Sequence, residues 1–251
     1  MTGTLDDSVG ATGMTDEMSG RPDAPRQATA RQLQIYRAAA KLFVEKGFAG
    51  ASMSDIAEAV QLTKAGLYHF VSSKEDLLFD IMQHGMNRLE HDVVEPALKE
   101  PDPLARLQLI IRKHIRNVVG ADPDAGHPIS IIMDEPQGLA VGRRRLINER
   151  KRLYMNLIRD TLKALQDRGD MSRDLDPTIA AFNIIGTIMW VPRWRRPGGR
   201  LSLDEISREI VSNLVTGLVS PTASVASTSN TRGEAPAPGP SFFAVHPRKA
   251  R

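Results

Sequence analysis

The chain has no cysteine and few aromatic residues, and these shortages limit the class of protein that it can be. Among 251 residues there are no Cys, two Trp, three Tyr and seven Phe. Without cysteine there is no disulfide framework, thiolate nucleophile or cysteine-ligated zinc, and a reducing compartment such as the cytoplasm is the expected location. A chain of this length can bury a hydrophobic core without metals or disulfides.

Long apolar runs are also missing. The longest, residues 179–191, is interrupted by Asn183 and Gly186 and is shorter than the roughly 20 residues that a membrane-spanning helix needs. Residues 1–20 have acidic side chains where a signal peptide has a basic region, and they lack the apolar core of a signal peptide. We therefore expect neither a membrane segment nor a secretion signal.

Charge of one sign is not in large excess, since the formal net charge is only +3. Basic surfaces must then be judged locally, and basic residues concentrate in residues 21–46, 143–152 and 248–251. Most such runs are solvated surface, so the charge pattern alone identifies no partner.

The distribution of apolar residues predicts an all-α fold of about nine helices. Residues 1–27 and 220–251 are rich in small residues and proline, and are predicted to be a disordered arm and a disordered tail. Between them, apolar residues recur at helical spacing, and Gly and Pro mark the breaks. The helices are short over residues 28–79 and longer over residues 80–219.

Residues 52–70 have the order of a helix-turn-helix. Ser52 followed by Asp55 is a capping box with Asp in place of the usual Glu or Gln. Thr63 is the candidate N-cap of a second helix, which is too short to be stable without its neighbours. Leu67 and Phe70 are predicted to face the core from that helix.

The outward face of this second helix is the predicted DNA-reading surface. In a helix-turn-helix its first residues enter the major groove, and the flanking residues bind phosphates. Lys64 supplies charge, Gly66 permits close approach, and Tyr68 and His69 can donate to phosphate. At the start of the next helix, backbone amides and the ammonium of Lys74 favour a phosphate. The predicted DNA contacts are Ser52, Thr63, Lys64, Ala65, Gly66, Tyr68, His69, Ser73 and Lys74.

Several ordered motifs within residues 31–79 resemble the TetR family of regulators. They are Ala38-Ala39-Ala40-Lys41-Leu42-Phe43, Lys46-Gly47-Phe48, Asp55-Ile56-Ala57, Leu67-Tyr68-His69-Phe70 and Ser73-Lys74-Glu75-Asp76-Leu77-Leu78. The chain departs from the family pattern at Gln61, where Gly is usual, and at Gly66, where Ser or Thr is frequent. The resemblance implies a DNA-binding domain over residues 28–79. It also implies a homodimeric repressor that a small-molecule effector releases from a palindromic operator in double-stranded DNA.

For residues 80–219 the resemblance implies a helical domain that binds the effector and dimerises through its last two helices. The first of these, about residues 177–191, is apolar nearly all round. The second carries an apolar stripe formed by Ile206, Ile210, Leu214 and Leu218. Such surfaces need covering, and a self-complementary pair of chains is the commonest arrangement.

A cluster of Trp and Arg suggests what the effector is. Trp190, Arg193 and Trp194 can stack on an aromatic base and pair with phosphates. The stretch resembles TetR regulators that respond to acyl-CoA thioesters in lipid or sterol catabolism. Packing of the tryptophans in a dimer interface is the competing interpretation. With Met133 and Met155 as candidates for an adaptable apolar lining, these five residues are the predicted ligand contacts.

No catalytic, cofactor or metal site is predicted. The six histidines are scattered without an HExxH motif, and no Gly-rich phosphate loop or nucleophile elbow occurs. His84 and His91, with Glu90 nearby, are expected to be structural or surface residues, and a metal site is the minor alternative. Three other functions remain open: a helical enzyme that no longer binds DNA, an activator, and a repressor that needs no ligand.

Overall fold

The computed structural model describes residues 28–120, 138–196 and 198–219. The predicted arm over residues 1–27, the predicted tail over residues 220–251 and the ligand candidate Met133 lie outside these ranges.

All regular secondary structure in these ranges is helical, which confirms the all-α prediction. The helices are α1 (Ala30–Gly50), α2 (Met53–Ala59), α3 (Lys64–Tyr68), α4 (Lys74–Leu89), α5 (Glu95–Lys99), α6 (Pro103–Val119), α7 (Val141–Arg168), α8 (Pro177–Trp194) and α9 (Leu203–Val219). A π-helical turn, Glu90–Val94, joins α4 to α5 through continuously helical backbone. The described residues therefore contain nine α-helices, or eight if α4, the π-helical turn and α5 are counted as one continuous helix.

The end of α1 differs in detail from the prediction. A glycine at residue 47 predicts that the helix stops there in the left-handed conformation. Gly47 does have a positive φ of 74°, but its ψ is 161°, so it kinks the chain and one more turn reaches Gly50. The kink brings the ring of Phe48 against that of Phe43, with 5.3 Å between centroids.

Helices α1–α4 form the N-terminal bundle, whose core includes the fully buried Ile35, Ile56, Leu67 and Leu77. The prediction that Phe70 faces this core is wrong, because Phe70 is 36% exposed and Val71 is buried instead. Helical bonding continues past the end of α3, with Val71 N–H donating to Leu67 O at 3.3 Å. The inward position after Leu67 is therefore four residues on, not three.

Helices α5–α9 form the C-terminal bundle, in which α6 packs against α7, α8 and α9. Its interior is mostly apolar, but His114 of α6 and Tyr154 of α7 are both buried and joined by a hydrogen bond of 2.9 Å between Tyr154 Oη and His114 Nδ1. Burial raises the pKa of Tyr154. The predicted domain boundary after residue 79 falls inside α4, so this helix connects the two bundles without a break.

Helix α8 extends past its predicted end at Val191, through Pro192 to Trp194. Pro192 lies in the last turn, where a missing N–H costs one bond and the exposed ring meets solvent. None of the helices given above is both long and apolar enough to cross a membrane.

His84 is a half-buried histidine where α4 packs on α1. Its ring lies against the ring of Tyr36, with 5.9 Å between centroids. Burial, followed by the charges of Arg88 and Arg37, lowers the pKa of His84. The folded protein therefore favours the neutral imidazole.

We expect the stability of the protein to fall as the pH is lowered below about 6.5, the ordinary pKa of histidine. In that range the unfolded chain takes up a proton that folded His84 resists, so stability is lost between the ordinary pKa and the lowered one. His84→Phe keeps an aromatic ring and should make the melting temperature less dependent on pH between about pH 5 and pH 7. Thermal unfolding followed by circular dichroism measures this.

His91 supplies the matched control, because its side chain is 78% exposed beside Glu95. His91→Gln should leave the pH dependence close to that of the wild type. An unchanged pH dependence in the His84→Phe variant would contradict the role assigned to His84.

Candidate DNA-binding surface

The start of α2 is fixed by a reciprocal capping box. Ser52 Oγ accepts the Asp55 N–H at 3.1 Å and donates to Asp55 Oδ2 at 2.7 Å, and Ser52 N–H donates to the same oxygen at 2.8 Å. These bonds, with a smaller effect of Lys46, lower the pKa of Asp55 to about 2. Asp therefore completes the box as Glu would, and Ser52 remains exposed at the surface.

The turn between α2 and α3 keeps a left-handed residue although no glycine is present. Gln61 has a φ of 54° and is the one non-glycine residue with positive φ in the described ranges. This conformation costs on the order of 1 kcal/mol for an ordinary side chain. The departure from the family pattern at Gln61 is thus accommodated by local strain.

Helix α3 is five residues long and is held at both ends by its surroundings. Thr63 Oγ1 accepts the Gly66 N–H at 3.0 Å, and the side chain of Leu67 is completely buried. A Cβ atom on Gly66 would lie 3.2 Å from Thr63 Oγ1. Gly66 therefore suits this tight cap, in which Ser or Thr would crowd the hydroxyl.

The remaining side chains of α3 and its C-cap point outward. Lys64, Ala65, Tyr68 and His69 are exposed, and Tyr68 has 45% of its surface accessible. Positions i, i+1, i+4 and i+5 share one side of a helix, opposite the buried Leu67. The structure thus brings four of the predicted DNA contacts together on one outward face.

The ammonium of Lys74 is engaged inside the protein. It donates to the main-chain oxygens of Phe48 at 2.8 Å, Ala49 at 3.4 Å and Ala51 at 2.8 Å, and lies 4.6 Å from the centroid of the Phe48 ring. An ammonium has three donors, so all of them satisfy carbonyls at the kinked end of α1. The geometry gives the ammonium a structural role in place of the expected phosphate contact.

The main chain at the start of α4 retains groups that suit a phosphate. Ser73 caps the helix by accepting the Asp76 N–H at 3.0 Å and donating to Asp76 Oδ2 at 2.6 Å. The N–H groups of Lys74 and Glu75 precede the first intrahelical bond, which Leu77 makes to Ser73 O, and have no acceptor within the helix. A phosphate contact at Lys74 is therefore expected through its main-chain N–H.

The predicted ligand residues are not gathered in one interior site by the residues that the structure describes. Met155 is partly buried against the core, and Met133 is not among the described residues. Trp190 and Trp194 are 55% and 48% exposed, and the guanidinium of Arg193 lies 4.9 Å from the centroid of the Trp190 ring. The Trp and Arg cluster exists, but on the surface of the single chain.

Helix α8 has a second apolar face that sequence reasoning does not resolve. Ile184 and Ile188 are completely buried, whereas Ile179 is 60% and Phe182 is 57% exposed. The exposed face continues through Gly186 towards Trp190. Both faces carry large apolar residues, although the exposed face also includes Asn183 and Thr187, so the spacing of the apolar residues does not by itself identify the face that meets the core.

The two histidines near the π-helical turn lie in separate contacts. His91 lies 3.5 Å from Glu95 at the surface, and His84 packs on Tyr36. Within the described residues no group of three or more His, Cys, Asp or Glu side chains could hold a metal ion.

Two protein-family models match the chain. Residues 35–81 match the bacterial regulatory proteins of the tetR family, and residues 100–218 match the tetracyclin repressor-like C-terminal domain. The first match contains the helix-turn-helix, and the second covers most of the C-terminal bundle.

Individual proteins of known name are similar over most of the chain. It is 27% identical over 213 residues to the HTH-type transcriptional repressor KstR2 of Rhodococcus jostii, covering 82% of this chain and 96% of the relative. It is 26% identical over 199 residues to the fatty acid metabolism regulator protein of Bacillus subtilis, covering 77% and 98%. A crystal structure of AibR in complex with isovaleryl coenzyme A and operator DNA is 33% identical, with a TM-score of 0.63 and coverage of 75% and 98%.

Two lysines of the candidate surface are expected to respond differently to replacement by alanine. Lys64→Ala removes an exposed cation from the start of α3, so operator affinity should fall and the salt slope should decrease by about one. Lys74→Ala removes the donors from three carbonyls and should destabilise the fold by about 1–3 kcal/mol, with the salt slope retained. Fluorescence anisotropy at several salt concentrations and thermal unfolding measure the two effects.

Lys163→Ala, an exposed change on α7, is the control and should alter neither quantity. A smaller salt slope with an unchanged melting temperature in the Lys74→Ala variant would show that the ammonium leaves the carbonyls to bind phosphate.

Proposed function

The chain belongs to the TetR family of bacterial regulatory proteins, and on that premise we propose that it is a homodimeric repressor released from a palindromic operator by an acyl-CoA thioester. Its named relatives are regulators of transcription, not enzymes, so the chain is a DNA-binding regulator and the enzyme alternative does not apply. The single observation that carries the proposal is the outward face of α3, held in place by a complete helix-turn-helix. We propose that it acts in the cytoplasm, where its operator DNA is located.

The exposed face of α8 supports the dimer. Ile179 and Phe182 each expose more than half of their surface, and burying that remaining part is favourable by roughly 1–2 kcal/mol each, about half the value for a fully exposed side chain. Between this pair and Trp190 lies Gly186, where a Cβ would have no neighbour within 4 Å, so a second helix can approach closely. A two-fold pair of chains that meet through α8 and α9 would cover this face.

The dimer determines the form of the operator. A two-fold axis presents two copies of α3, each reading one half-site in the major groove. The two half-sites must then be related by the same symmetry, which makes the operator palindromic. Their separation depends on how far apart the two N-terminal bundles are held.

Two observations support an acyl-CoA thioester as the effector. The AibR structure, which contains isovaleryl coenzyme A and operator DNA, is 33% identical to this chain. At the end of α8, the guanidinium of Arg193 lies beside the Trp190 ring, and Trp194 is exposed nearby. A nucleotide can stack on such rings while its phosphates pair with arginine. In this proposal the acyl chain lies inside the C-terminal bundle, with Met155 among its contacts.

Release of the operator then follows from differential binding. A ligand shifts the equilibrium only by the difference in its affinity for the two conformers. We propose that the thioester binds more tightly to a conformer in which the two α3 helices no longer match the half-sites.

The test begins with the DNA fragments that the native protein binds in its own genome, which should share a palindrome. Isovaleryl-CoA and longer acyl-CoA esters are then titrated into the preformed complex, with free CoA and the free acids as controls. We expect the thioesters to lower the fraction of DNA bound. If no palindrome is enriched, the regulator proposal is wrong. If every thioester leaves binding unchanged, the protein is a ligand-independent regulator or responds to another effector.

Arg193→Ala should raise the thioester concentration needed for half-release by about tenfold, the effect of one lost charge-assisted hydrogen bond, without changing operator affinity in the absence of ligand. Arg173→Ala, an exposed change in the segment between α7 and α8, should leave the response unchanged. Equal responses from both variants would remove Arg193 from the ligand site.

Phe182→Asp is expected to convert the dimer to a monomer, because it places a charge in the proposed apolar interface. Sedimentation velocity measures the mass, and an unchanged circular dichroism spectrum would show that the chain still folds. Leu98→Asp is the matched control, since Leu98 is 65% exposed on α5, a helix that is not part of the proposed interface. A Phe182→Asp variant that remains dimeric would place the interface elsewhere.

A further inference from the structure

Helix α7 begins directly against the N-terminal bundle. The N–H of Ala140, its N-cap residue, donates to Glu75 Oε1 of α4 at 2.8 Å. Gly138 lies over the ring of Phe48 so closely that a Cβ atom there would come within 2.1 Å of the ring. Leu139, between these contacts, is buried. The residues that lead into α7 are therefore docked on the start of α4 and the end of α1.

Arg143, in the first turn of α7, extends this contact along α4. Its guanidinium lies 2.6 Å from Asp76 Oδ1 and 3.6 Å from Glu75 Oε1. The same group lies 5.0 Å from the centroid of the Phe79 ring. Together with the hydroxyl of Ser73, which has the larger effect, Arg143 lowers the pKa of Asp76.

Arg150 repeats the arrangement two turns further along the same side of α7. Its Nε donates to Glu90 Oε1 at 2.8 Å, and its two terminal nitrogens donate to Gln83 Oε1 at 2.6 Å and Asn87 Oδ1 at 2.7 Å. The side chain is only 14% exposed. All three guanidinium nitrogens thus donate hydrogen bonds to side chains on one side of α4 and the π-helical turn.

The basic residues of the run 143–152 therefore have different environments and roles. Arg143 and Arg150 face α4, whereas Arg145 is exposed to solvent. A planar guanidinium holds several acceptors in one fixed geometry, so the contacts resist rotation of α4 about α7. Because Lys74 joins α4 to the end of α1, a rotation of α4 would carry the helix-turn-helix with it.

We infer that Arg143 and Arg150 are positioning residues for DNA binding, which hold the helix-turn-helix at one angle to the C-terminal bundle. In a dimer, this angle sets the distance between the two α3 helices and hence the half-site spacing that the protein accepts. The inference rests on the dimeric, palindrome-binding function proposed above. The inference assigns neither arginine a contact with DNA, because both guanidinium groups bind side chains of α4 and the π-helical turn.

The test compares operators whose central spacer differs in length. The duplexes are the selected palindrome and versions lengthened or shortened by one or two base pairs, and binding is measured by fluorescence anisotropy with the full-length protein. The wild type should prefer the selected spacing. Arg143→Ala should reduce that preference at least about fivefold, the lower end of typical coupling between sites, because each N-terminal bundle can then adjust to other spacings.

Three further variants separate positioning from charge and from damage to the fold. Gly138→Ala disturbs the neighbouring contact with the Phe48 ring without removing a charge, and should also reduce the spacing preference. Arg143→Lys keeps the charge but lacks the planar guanidinium that binds two acceptors at once, and should give an intermediate spacing preference. Arg145→Ala removes an exposed charge from the same helix turn, and should keep the preference of the wild type.

A loss of affinity that is equal at every spacing would indicate only a lower fraction of folded protein or a weaker general attraction to DNA, and would overturn the inference. The inference is also wrong if Arg143→Ala and Gly138→Ala keep the wild-type preference, and in that case the proposed repressor function would still stand. If the wild type itself binds no palindrome, both the proposed function and this inference are wrong.

Discussion

The helix-turn-helix depends on Lys74, whose ammonium donates hydrogen bonds to the carbonyl groups at the kinked end of α1. Gly47 turns the chain out of the α1 ladder, and the ammonium of Lys74 satisfies the carbonyls that follow it. Unpaired carbonyls there would cost free energy, since the last carbonyls of a helix have no partner within it. The same contact fixes Phe48, against which the backbone of Gly138 packs. The ammonium of Lys74 therefore adds a polar contact to the apolar packing of α1 on α4, and it shapes the surface on which the C-terminal bundle docks.

Helix α4 transmits position because its two sides are held by different kinds of contact. Towards the N-terminal bundle it presents a continuous apolar surface that includes Leu77, Leu78 and Ile81, all buried. Such packing is strong but has little directional preference. Towards α7 it presents carboxylates and amides, which Arg143 and Arg150 bind with defined geometry. Apolar packing stabilises the bundle, and the directional polar contacts determine its angle.

The C-terminal bundle combines a closed interior with an open outer face. His114 and Tyr154 pair inside the bundle, so these polar groups are buried without losing hydrogen bonds. The outer face of α8, in contrast, leaves Ile179 and Phe182 in contact with water. An apolar surface of this kind on a folded chain marks an interaction site. The Trp and Arg cluster continues this face, so the proposed dimer contact and the proposed ligand contact adjoin at the end of α8.

Local interactions were predictable from the amino-acid sequence by itself. The helical periodicity, the capping pairs Ser52 with Asp55 and Thr63 with Gly66, and the order of the helix-turn-helix all join residues within four positions of each other, so the sequence displays them directly. The inward register after Leu67 could not be read in this way, because Phe70 and Val71 are both apolar and only the packed neighbours select Val71.

Contacts between distant residues were decided by the tertiary structure alone. Lys74 meets Phe48 across 26 positions and Arg150 meets Gln83 across 67, and nothing in either local sequence indicates the partner. Both faces of α8 likewise carry large apolar residues, and the packing of Ile184 and Ile188 against the core determines which face is buried. The type of a side chain, charged or apolar, indicates what kind of contact it can make. Only the fold determines which particular partner lies close enough to be contacted.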